Sequence, residues 1–312
     1  MKAFVTGGAG FIGSHLVDKL ILRGDEVTVY DNLSSGDTKY IKHHLGNPSF
    51  KFIKADLLDL ETIKKEIKNH DVVFHIAANP YVRLGETQTR LDLEQGTIAT
   101  YNILEAMRIN NIKKIVFSSS SVVYAETPPI DIPETYGPTL PISLYGAGKL
   151  GGEGLISSFC GTFGFQAWIY RFANVVGTRG THGVIVDFIA KLEKNSRELE
   201  ILGDGNQQKP YLYVTELVEG ILFGFEHSNE QINLFNLSVD SNTTVRHIAE
   251  MVVEEMKLKN VKFKYTGGKR GWAGDVPRFQ LSTAKMKKLG WQANLSSDGA
   301  VRKAIKEILS SF

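Results

Sequence analysis

The sequence is poor in features that would tie it to an oxidising compartment, a membrane or a nucleic acid. It has one cysteine, Cys160, in 312 residues, so an intramolecular disulfide is excluded and this side chain is expected in the core. No apolar run reaches the about 18 residues that a membrane span needs, and a net charge of +2 gives no broad basic field for nucleic acid. No basic-then-apolar leader precedes the first strand pattern. We therefore expect a cytoplasmic protein without membrane or nucleic-acid partners.

Metal-ligand spacing is missing as well. His75 ends a strand pattern, but no histidine, cysteine or carboxylate accompanies it at a spacing typical of a metal site. We therefore predict a structural role for His75 and no bound metal. Internal repeats and low-complexity segments are also absent, so ordinary globular packing is expected for a chain that is 42% hydrophobic and 22% charged.

Short apolar runs alternate with helical patterns through the first half of the chain. Strand patterns occur at 2–6, 26–30, 49–54, 71–75 and 114–118, and helical patterns at 11–23, 60–69 and 93–110. This alternation predicts an α/β fold with a Rossmann-like, doubly wound parallel sheet. Later helical patterns are less regularly spaced, at 185–194, 244–256 and 298–309. We therefore predict a first domain at 1–170 and a smaller α/β C-terminal lobe at 171–312, interleaved with the first.

A glycine-rich loop joins the first strand pattern to the first helical pattern. Its glycines give the tight turn and the close backbone approach that a pyrophosphate needs, and the amides that open the helix meet the phosphate charge. Asp31 ends the second strand 18 residues after Gly13, close to the spacing of about 20 at which an acid binds the adenosine ribose. Because a carboxylate there would repel a 2′-phosphate, the pattern predicts NAD in preference to NADP. The predicted contacts in the loop are Gly7, Gly10, Phe11, Ile12 and Gly13.

A tyrosine and a lysine four positions apart, Tyr145 and Lys149, share one face of a predicted helix. An ammonium beside the phenol would lower the phenol's pKa from about 10 and make Tyr145 a general base near neutral pH. Ser120 ends the fifth strand pattern, at the edge where a doubly wound sheet binds its ligands. A hydroxyl there can form a hydrogen bond with a substrate oxygen. The sequence therefore places a candidate base and a candidate substrate contact beside the predicted dinucleotide.

On these motifs the chain resembles the extended short-chain dehydrogenase/reductase superfamily, and within it the nucleotide-sugar epimerases of the UDP-glucose (UDP-galactose) 4-epimerase type. The resemblance covers essentially the whole chain. The matching segments are Thr6–Gly13, Asp31–Gly36, Asp56-Leu57, His75–Ala78, Ser118–Tyr124, Tyr145–Lys149, Tyr170–Gly177, Gly203–Gly205 and Arg270–Pro277.

The resemblance implies a role for each matching residue. It makes Tyr145 the base, Lys149 the residue that lowers its pKa and holds the nicotinamide ribose, and Ser120 the group that holds the reacting hydroxyl. The further contacts implied for NAD are Asp31, Asn32, Ser35, Gly36, Asp56, Leu57, Ala77 and Ala78. The nucleotide sugar would be bound mainly by the C-terminal lobe, through Asn174, Val184, Lys209, Tyr211, Arg270, Asp275 and Phe279.

The chain departs from the family pattern at some of these positions. Lys209 stands where an arginine is usual, and Gly-Trp-Ala separates Arg270 from Gly274. Both departures weaken the expected phosphate contacts. Lysine cannot form the bidentate pair that arginine forms, and the three inserted residues displace Arg270 from its expected position. The bulk of Phe279 favours UDP-glucose or UDP-galactose over N-acetylated sugars, and packing in the core is an equal alternative for this side chain.

Related enzymes share the first oxidation and differ afterwards. Dehydratases of the superfamily carry Asp-Glu just after the serine or threonine, and decarboxylases carry a glutamate before the Val-Tyr pair; here these positions hold Ser121 and Val122. We therefore predict an NAD-dependent 4-epimerase of a UDP-sugar, which the resemblance implies is a homodimer. The alternatives are a UDP-glucuronate epimerase or decarboxylase, a dehydratase, a net-redox reductase and a non-catalytic NAD-binding regulator.

Overall fold

The computed structural model describes residues 1–128, 130–272 and 274–310 of the chain. Contacts divide it into two units that alternate along the sequence. The first unit comprises Met1–Val123, Leu140–Arg171 and Ile221–Phe235, and the second comprises Tyr124–Thr139, Phe172–Gly220 and the described residues from Asn236 onward. The predicted domains, 1–170 and 171–312, differ from this division chiefly at 124–139 and 221–235, each of which folds with the other unit.

The helices and strands follow the sequence patterns closely. The strands are β1 (Lys2–Thr6), β2 (Glu26–Asp31), β3 (Phe50–Lys54), β4 (Val72–His75), β5 (Lys114–Ser120), β6 (Asp131–Ile132), β7 (Gln166–Phe172), β8 (Asn174–Val176), β9 (Glu198–Ile201), β10 (Gln208–Lys209), β11 (Tyr211–Tyr213), β12 (Ile232–Leu237), β13 (Thr243–Thr244), β14 (Lys262–Tyr265) and β15 (Gln280–Leu281). The helices are α1 (Phe11–Leu22), α2 (Leu60–Glu66), α3 (Ala99–Ile109), α4 (Leu144–Phe163), α5 (Val184–Lys194), α6 (Val214–His227), α7 (Val245–Glu255), α8 (Ala284–Leu289) and α9 (Ser297–Leu309).

The first unit is built on a seven-stranded sheet. Its strand order is β12-β7-β5-β4-β1-β2-β3, and the strands from β5 to β3 pair in parallel. The order runs outward in both directions from β1, so the connections reverse direction between β1 and β4. At such a point the carboxyl ends of the strands form the crevice in which these sheets bind ligands. The predicted α/β fold with a Rossmann-like parallel sheet is confirmed.

The strands of this sheet are buried, which explains why they read as nearly continuous apolar runs. Phe4, Val73 and Ile115 are fully buried and pack with Ile103 from α3. Burying each of these side chains contributes about 1.5–3 kcal/mol. Cys160 lies in the same cluster, as predicted.

One predicted helix differs from the structure. The pattern at 93–110 predicts a single α-helix, but Leu93–Ile98 is π-helical and α3 begins only at Ala99. The wider turn packs closely on α4, where a Cβ on Gly96 would lie 3.1 Å from the Cα of Gly148. Apolar periodicity does not reveal such a change, because a π turn is a local insertion within an otherwise helical segment.

The second unit consists of short paired strands and amphipathic helices. β8 pairs in parallel with β11, and β9 pairs in parallel with β14. α7 lies against both α5 and α9, and it buries Ile248 and Val252. Across the described part of the chain, no helix is both long enough and apolar enough to cross a membrane.

Candidate active site

The loop between β1 and α1 is packed tightly against neighbouring backbone. Gly7 has a φ of 69°, in the left-handed region that favours glycine. A Cβ on Gly7 would lie 2.7 Å from the Cα of Ala77, and one on Gly13 would lie 2.0 Å from the carbonyl oxygen of Gly7. Neither position accommodates a side chain, so the loop keeps the bare backbone that a pyrophosphate must approach.

The N-terminus of α1 suits an anion. The helix begins at Phe11 and is preceded by Gly10, which has no side chain to cap it, and the described first turn carries no acidic residue. The first N–H groups of an α-helix have no intrahelical acceptor and carry partial positive charge. The phosphates of a dinucleotide can bind directly to these amides.

Asp31 is held in place at the carboxyl end of β2. Its Oδ2 accepts the N–H of Ala9 at 3.0 Å, and its Oδ1 accepts the N–H of Leu33 at 2.8 Å. Burial raises the pKa of this carboxyl, and the two N–H bonds oppose the rise. Each carboxylate oxygen has a second lone-pair site, so Asp31 can also accept ribose hydroxyls. The loop, the helix N-terminus and Asp31 therefore fit a dinucleotide.

The other predicted cofactor residues lie around the same sheet edge. Asn32 donates to Asp56 Oδ2 at 2.8 Å just beyond β3, and Ala77, beyond β4, donates its N–H to Thr6 Oγ1 at 3.3 Å. Four predicted contacts are neighbours of these in the chain, namely Leu57, Ala78, Ser35 and Gly36. The structure thus collects the predicted cofactor residues at the carboxyl ends of β1, β2, β3 and β4.

α4 starts close to the turn that follows β5. Ser143 caps the helix, because its Oγ accepts the N–H of Gly146 at 3.1 Å. A Cβ on Gly146 would lie 3.0 Å from the carbonyl oxygen of Val122. This close approach brings the first turns of the helix to the carboxyl end of the strand.

The three catalytic candidates lie at this junction. Lys149 donates to the carbonyl oxygen of Ser118 at 2.5 Å, and its Nζ lies 5.8 Å from the centre of the Tyr145 ring. Ser120 is the last residue of β5, and its Oγ accepts the N–H of Val122 at 3.4 Å. Ser120 therefore lies at the end of a strand, and Tyr145 and Lys149 lie in the first two turns of one helix.

Burial controls the protonation of the two helical candidates. It lowers the pKa of Lys149 to about 7, against the opposing effect of the charges of Glu153 and Asp92. Burial, followed by the charge of Asp92, raises the pKa of Tyr145 above its usual value. The net shift of the Tyr145 pKa is therefore upward, because desolvation of the phenol is its largest cause. That Lys149 lowers this pKa stays a prediction.

His75 lies in the core between two threonines, as its predicted structural role requires. Its Nδ1 is 2.7 Å from Thr6 Oγ1, and its Nε2 is 3.0 Å from Thr100 Oγ1. Complete burial lowers its pKa to about 3, so the ring is neutral at physiological pH. It links β4 to β1 and α3.

Sequence reasoning did not identify a buried ion pair one turn beyond Lys149. Glu153 accepts Arg171 Nε at 2.9 Å and Nη2 at 2.6 Å, and it accepts the Ser119 hydroxyl at 2.5 Å. Neither charged residue is more than 8% exposed. The pair ties α4 to β5 and β7. Its sequence signal was an acid four positions after Lys149, but nothing in the sequence pairs that acid with Arg171.

Asp92 is a second residue that sequence reasoning missed. It is 2% exposed, its Oδ1 accepts Asn79 Nδ2 at 3.0 Å, and its Oδ2 has no hydrogen-bond partner in the described structure. Burial raises the pKa of this carboxyl. A Cβ on Gly148 would lie 2.6 Å from the Asp92 carbonyl oxygen. Asp92 therefore packs against the turn of α4 that separates Tyr145 from Lys149.

The remaining predicted substrate residues lie in the second unit, where two of them pair with each other. Lys209 forms an ion pair with Asp275, whose Oδ2 accepts the N–H of Gly271 at 3.0 Å. Arg270 forms an ion pair with Glu126. Both predicted cations therefore have acidic neighbours. The other members of the set occupy strand and helix ends: Asn174 and Tyr211 face each other on β8 and β11, Val184 begins α5, and Phe279 precedes β15.

Known proteins resemble the chain over its whole length. The model of the NAD dependent epimerase/dehydratase family matches residues 3–238. A solved UDP-galactose 4-epimerase is 40% identical, with a TM-score of 0.89 and 100% of both chains covered. The UDP-glucose 4-epimerase of Thermotoga maritima, solved with UDP-glucose, is 30% identical with a TM-score of 0.89 and covers 100% of this chain and 99% of its own. UDP-glucuronic acid decarboxylase 1 of Arabidopsis thaliana is 32% identical over 100% of this chain and 70% of its own length.

We expect Gly13→Ala to weaken NAD binding strongly, because the added methyl group would meet the Gly7 carbonyl oxygen at 2.0 Å and displace the loop. Isothermal titration with NAD measures the change. Gly161→Ala is the matched control, since a Cβ at this helical glycine meets no atom within 4 Å. Its NAD affinity should equal that of wild type, with the free energy of unfolding raised by at most about 1 kcal/mol. Wild-type NAD affinity in Gly13→Ala would contradict the role of this packing.

We expect Glu153→Gln to lower the free energy of unfolding by about 3–5 kcal/mol, because it leaves the Arg171 charge buried without its partner. Equilibrium denaturation measures the loss. Glu105→Gln breaks an equally short bidentate pair with Arg108 at the surface, and it should cost at most about 1 kcal/mol. Replacing both buried charges, in Glu153→Gln/Arg171→Met, should recover part of the loss. Equal effects of Glu153→Gln and Glu105→Gln would contradict the assignment.

The low pKa of Lys149 determines a pH dependence of stability. The unfolded chain binds this proton below the ordinary lysine pKa of 10.5, whereas the folded protein binds it only below about 7. Burying the charged lysine therefore costs folding nothing above pH 10.5. This free-energy cost grows as the pH falls from 10.5 to about 7, and it is constant below about 7. We expect Lys149→Met to lack this dependence, so its stability relative to wild type should rise as the pH falls through that window.

Chemical denaturation of both proteins at a series of pH values measures this difference. Lys113→Met is the control, because Lys113 also donates to a backbone carbonyl, that of Phe163 at 3.1 Å, but is exposed to water. Its stability should follow the pH profile of wild type. A Lys149→Met profile that also runs parallel to wild type would contradict a desolvated ammonium.

Proposed function

The chain belongs to the NAD-dependent epimerase/dehydratase family, and within it we propose that this protein is a 4-epimerase of a UDP-sugar. Family membership makes NAD its cofactor and places it among the nucleotide-sugar epimerases, dehydratases and decarboxylases. The substrates that we favour are UDP-glucose and UDP-galactose. Support for this choice comes from the similarity to a solved UDP-galactose 4-epimerase and to the Thermotoga enzyme that was solved with UDP-glucose.

In the proposed reaction, Tyr145 takes the proton from the C4 hydroxyl of the sugar and returns it after the configuration has been inverted through a 4-keto sugar. Bound NAD supplies the acceptance and return of a hydride. Ser120 offers its hydroxyl to the reacting oxygen from the end of β5. Because each proton and hydride that leaves the sugar also returns, the reaction has no net redox change.

Lys149 has the task of stabilising the Tyr145 phenolate. Burial raises the pKa of Tyr145, so its ionisation needs a nearby positive charge. The Lys149 Nζ, 5.8 Å from the ring centre, provides one when protonated. Its bond to the Ser118 carbonyl fixes the ammonium beside the ring. The same desolvation that opposes ionisation strengthens the attraction between the two charges once they form.

The two residues after Ser120 are the reason that we favour epimerisation over dehydration. Expulsion of a hydroxyl requires an acid to protonate the leaving group, and the acids typical of related dehydratases are replaced by Ser121 and Val122. These two residues open a 3₁₀ turn at Ser121–Tyr124 whose four side chains include no carboxyl group. Decarboxylation of a UDP-uronic acid is the second candidate, favoured by the 32% identity to the Arabidopsis decarboxylase.

We propose that the second unit supplies most contacts to the nucleotide sugar. Lys209 and Arg270 are the proposed phosphate-binding cations, and each would exchange its present acidic partner, Asp275 or Glu126, for a phosphate oxygen. The half-buried Phe279 is the proposed determinant of sugar size. The full proposed set is Ser120, Tyr145, Asn174, Val184, Lys209, Tyr211, Arg270, Asp275 and Phe279. A homodimer and a cytoplasmic location stay predictions.

The test is incubation of the purified protein with single UDP- and dTDP-sugars, with the products resolved by chromatography. We expect interconversion of UDP-glucose and UDP-galactose without stoichiometric formation of NADH. Formation of CO₂ and a UDP-pentose from UDP-glucuronate would instead support the decarboxylase. Tyr145→Phe should lower the turnover by about 10²–10⁴-fold, the usual contribution of a general acid–base group. The NAD content of this variant should match that of wild type.

Tyr101→Phe is the matched control, since Tyr101 is 42% exposed on α3 and removal of its hydroxyl should leave turnover unchanged. Near-normal epimerisation by Tyr145→Phe would contradict the role of the phenol. Absence of turnover on every sugar, with NAD still bound, would support the non-catalytic alternative.

A further inference from the structure

Two adjacent histidines and an aspartate that is distant from them in the sequence meet on the surface of the first unit. Asp18 lies on α1, and His43 and His44 form the end of a 3₁₀ turn, Lys42–His44, between β2 and β3. The Nε2 atoms of His43 and His44 lie 2.8 Å and 2.7 Å from the same oxygen, Asp18 Oδ1. The two rings are 4.0 Å apart, centre to centre. Three potential ligand atoms therefore converge on one point.

The backbone holds the two imidazoles in this arrangement. Ile41, just before the turn, is 1% exposed and anchors the segment in the core. Asp37 donates its N–H to the carbonyl oxygen of Ala9 at 3.0 Å, which joins the start of the segment to the glycine loop. The His44 ring packs on Phe50 with 5.4 Å between ring centres. The position of the cluster thus follows from the fold and not from the three side chains alone.

The cluster combines one fixed ligand with two that can adjust. The His44 side chain is 11% exposed, whereas those of Asp18 and His43 are 30% and 49% exposed. Two imidazoles and one carboxylate suit Zn²⁺ and similar divalent transition metals, while Mg²⁺ and Ca²⁺ prefer oxygen ligands alone. Tetrahedral bonds of about 2.0–2.1 Å place ligand atoms about 3.3 Å apart. The present nitrogen-to-oxygen distances must therefore widen by about half an ångström, which rotation of exposed side chains allows.

We propose that Asp18, His43 and His44 form a binding site for Zn²⁺ or a chemically similar divalent ion, with water completing its coordination. The ion would bind between the two Nε2 atoms and the Asp18 carboxylate, and it would hold the segment after β2 against α1. That segment begins with Asn32, Ser35 and Gly36, three of the proposed cofactor contacts. Sequence spacing alone predicted no metal, because 25 residues separate Asp18 from His43. The site does not depend on the proposed function.

Titration calorimetry of the untagged, metal-stripped full chain with ZnCl₂ tests the proposal. We expect one ion per chain, and affinity lowered at least about tenfold by His43→Gln and by His44→Gln. MgCl₂ should give no binding at the same concentrations. In hydrogen exchange, ZnCl₂ should slow exchange of the amides around 37–45 in wild type and leave those of His43→Gln unchanged. This second measurement separates a clamp from ions bound loosely elsewhere.

His247→Gln is the matched control. His247 is also exposed and has acidic neighbours, but these lie at opposite ring nitrogens, with Glu250 3.2 Å from Nδ1 and Asp298 3.5 Å from Nε2. Its Zn²⁺ affinity should equal that of wild type. His43→Gln is the decisive variant. Because the His43 side chain is exposed, the substitution should leave the fold intact, and the circular dichroism spectrum should match that of wild type. The proposal is overturned if Zn²⁺ fails to bind, if both His43→Gln and His44→Gln bind it as wild type does, or if exchange around 37–45 is unaffected.

Discussion

The buried ion pair between Glu153 and Arg171 is the interaction on which the candidate active site depends. It joins α4 to β7, and through Ser119 it also joins α4 to β5. Lys149 lies one turn earlier on the same helix and bonds to the strand at Ser118. Charges removed from water are costly unless their hydrogen bonds are satisfied, so this pair opposes any register of helix against strand that would separate the two charges. The positions of Tyr145 and Lys149 relative to Ser120 follow from that register.

Glycine makes this register sterically possible. A Cβ on Gly148 would approach the Asp92 carbonyl oxygen to 2.6 Å, and one on Gly152 would approach the Phe117 ring to 2.8 Å. Glycine within a helix costs about 0.5–1 kcal/mol relative to alanine, and here the close contact of α4 with its neighbours offsets that cost. Burial is also the largest cause of the shifted pKa values of both Tyr145 and Lys149. Packing and the chemistry of the site are thus consequences of one arrangement.

The proteins that resemble this chain include UDP-sugar 4-epimerases and a UDP-glucuronic acid decarboxylase, so overall similarity does not choose between these reactions. Our proposal of epimerisation rests on the turn after β5, where the side chains of Ser121 and Val122 carry no carboxyl group. Two ion pairs of the chain differ in exposure. Glu153 and Arg171 are buried in the first unit, whereas Arg270 and Glu126 pair at the surface of the second. An exposed pair can exchange one partner for an anion more readily than a buried pair can, as the role proposed for Arg270 requires.

The sequence by itself determined the elements and the cofactor loop, because these depend on local patterns. Alternating strands and helices, the glycines at 7, 10 and 13, and Asp31 at its spacing all act over about 20 residues. It also predicted Ser120, Tyr145 and Lys149 as catalytic candidates, since their order follows the order of the strands and helices. Only the tertiary structure paired Glu153 with Arg171, placed Asp92 against α4, and brought Asp18 to His43 and His44. It also showed that burial raises the Tyr145 pKa. Each of these depends on burial or on contacts between distant segments, and the spacing of residues along a chain specifies neither burial nor such contacts.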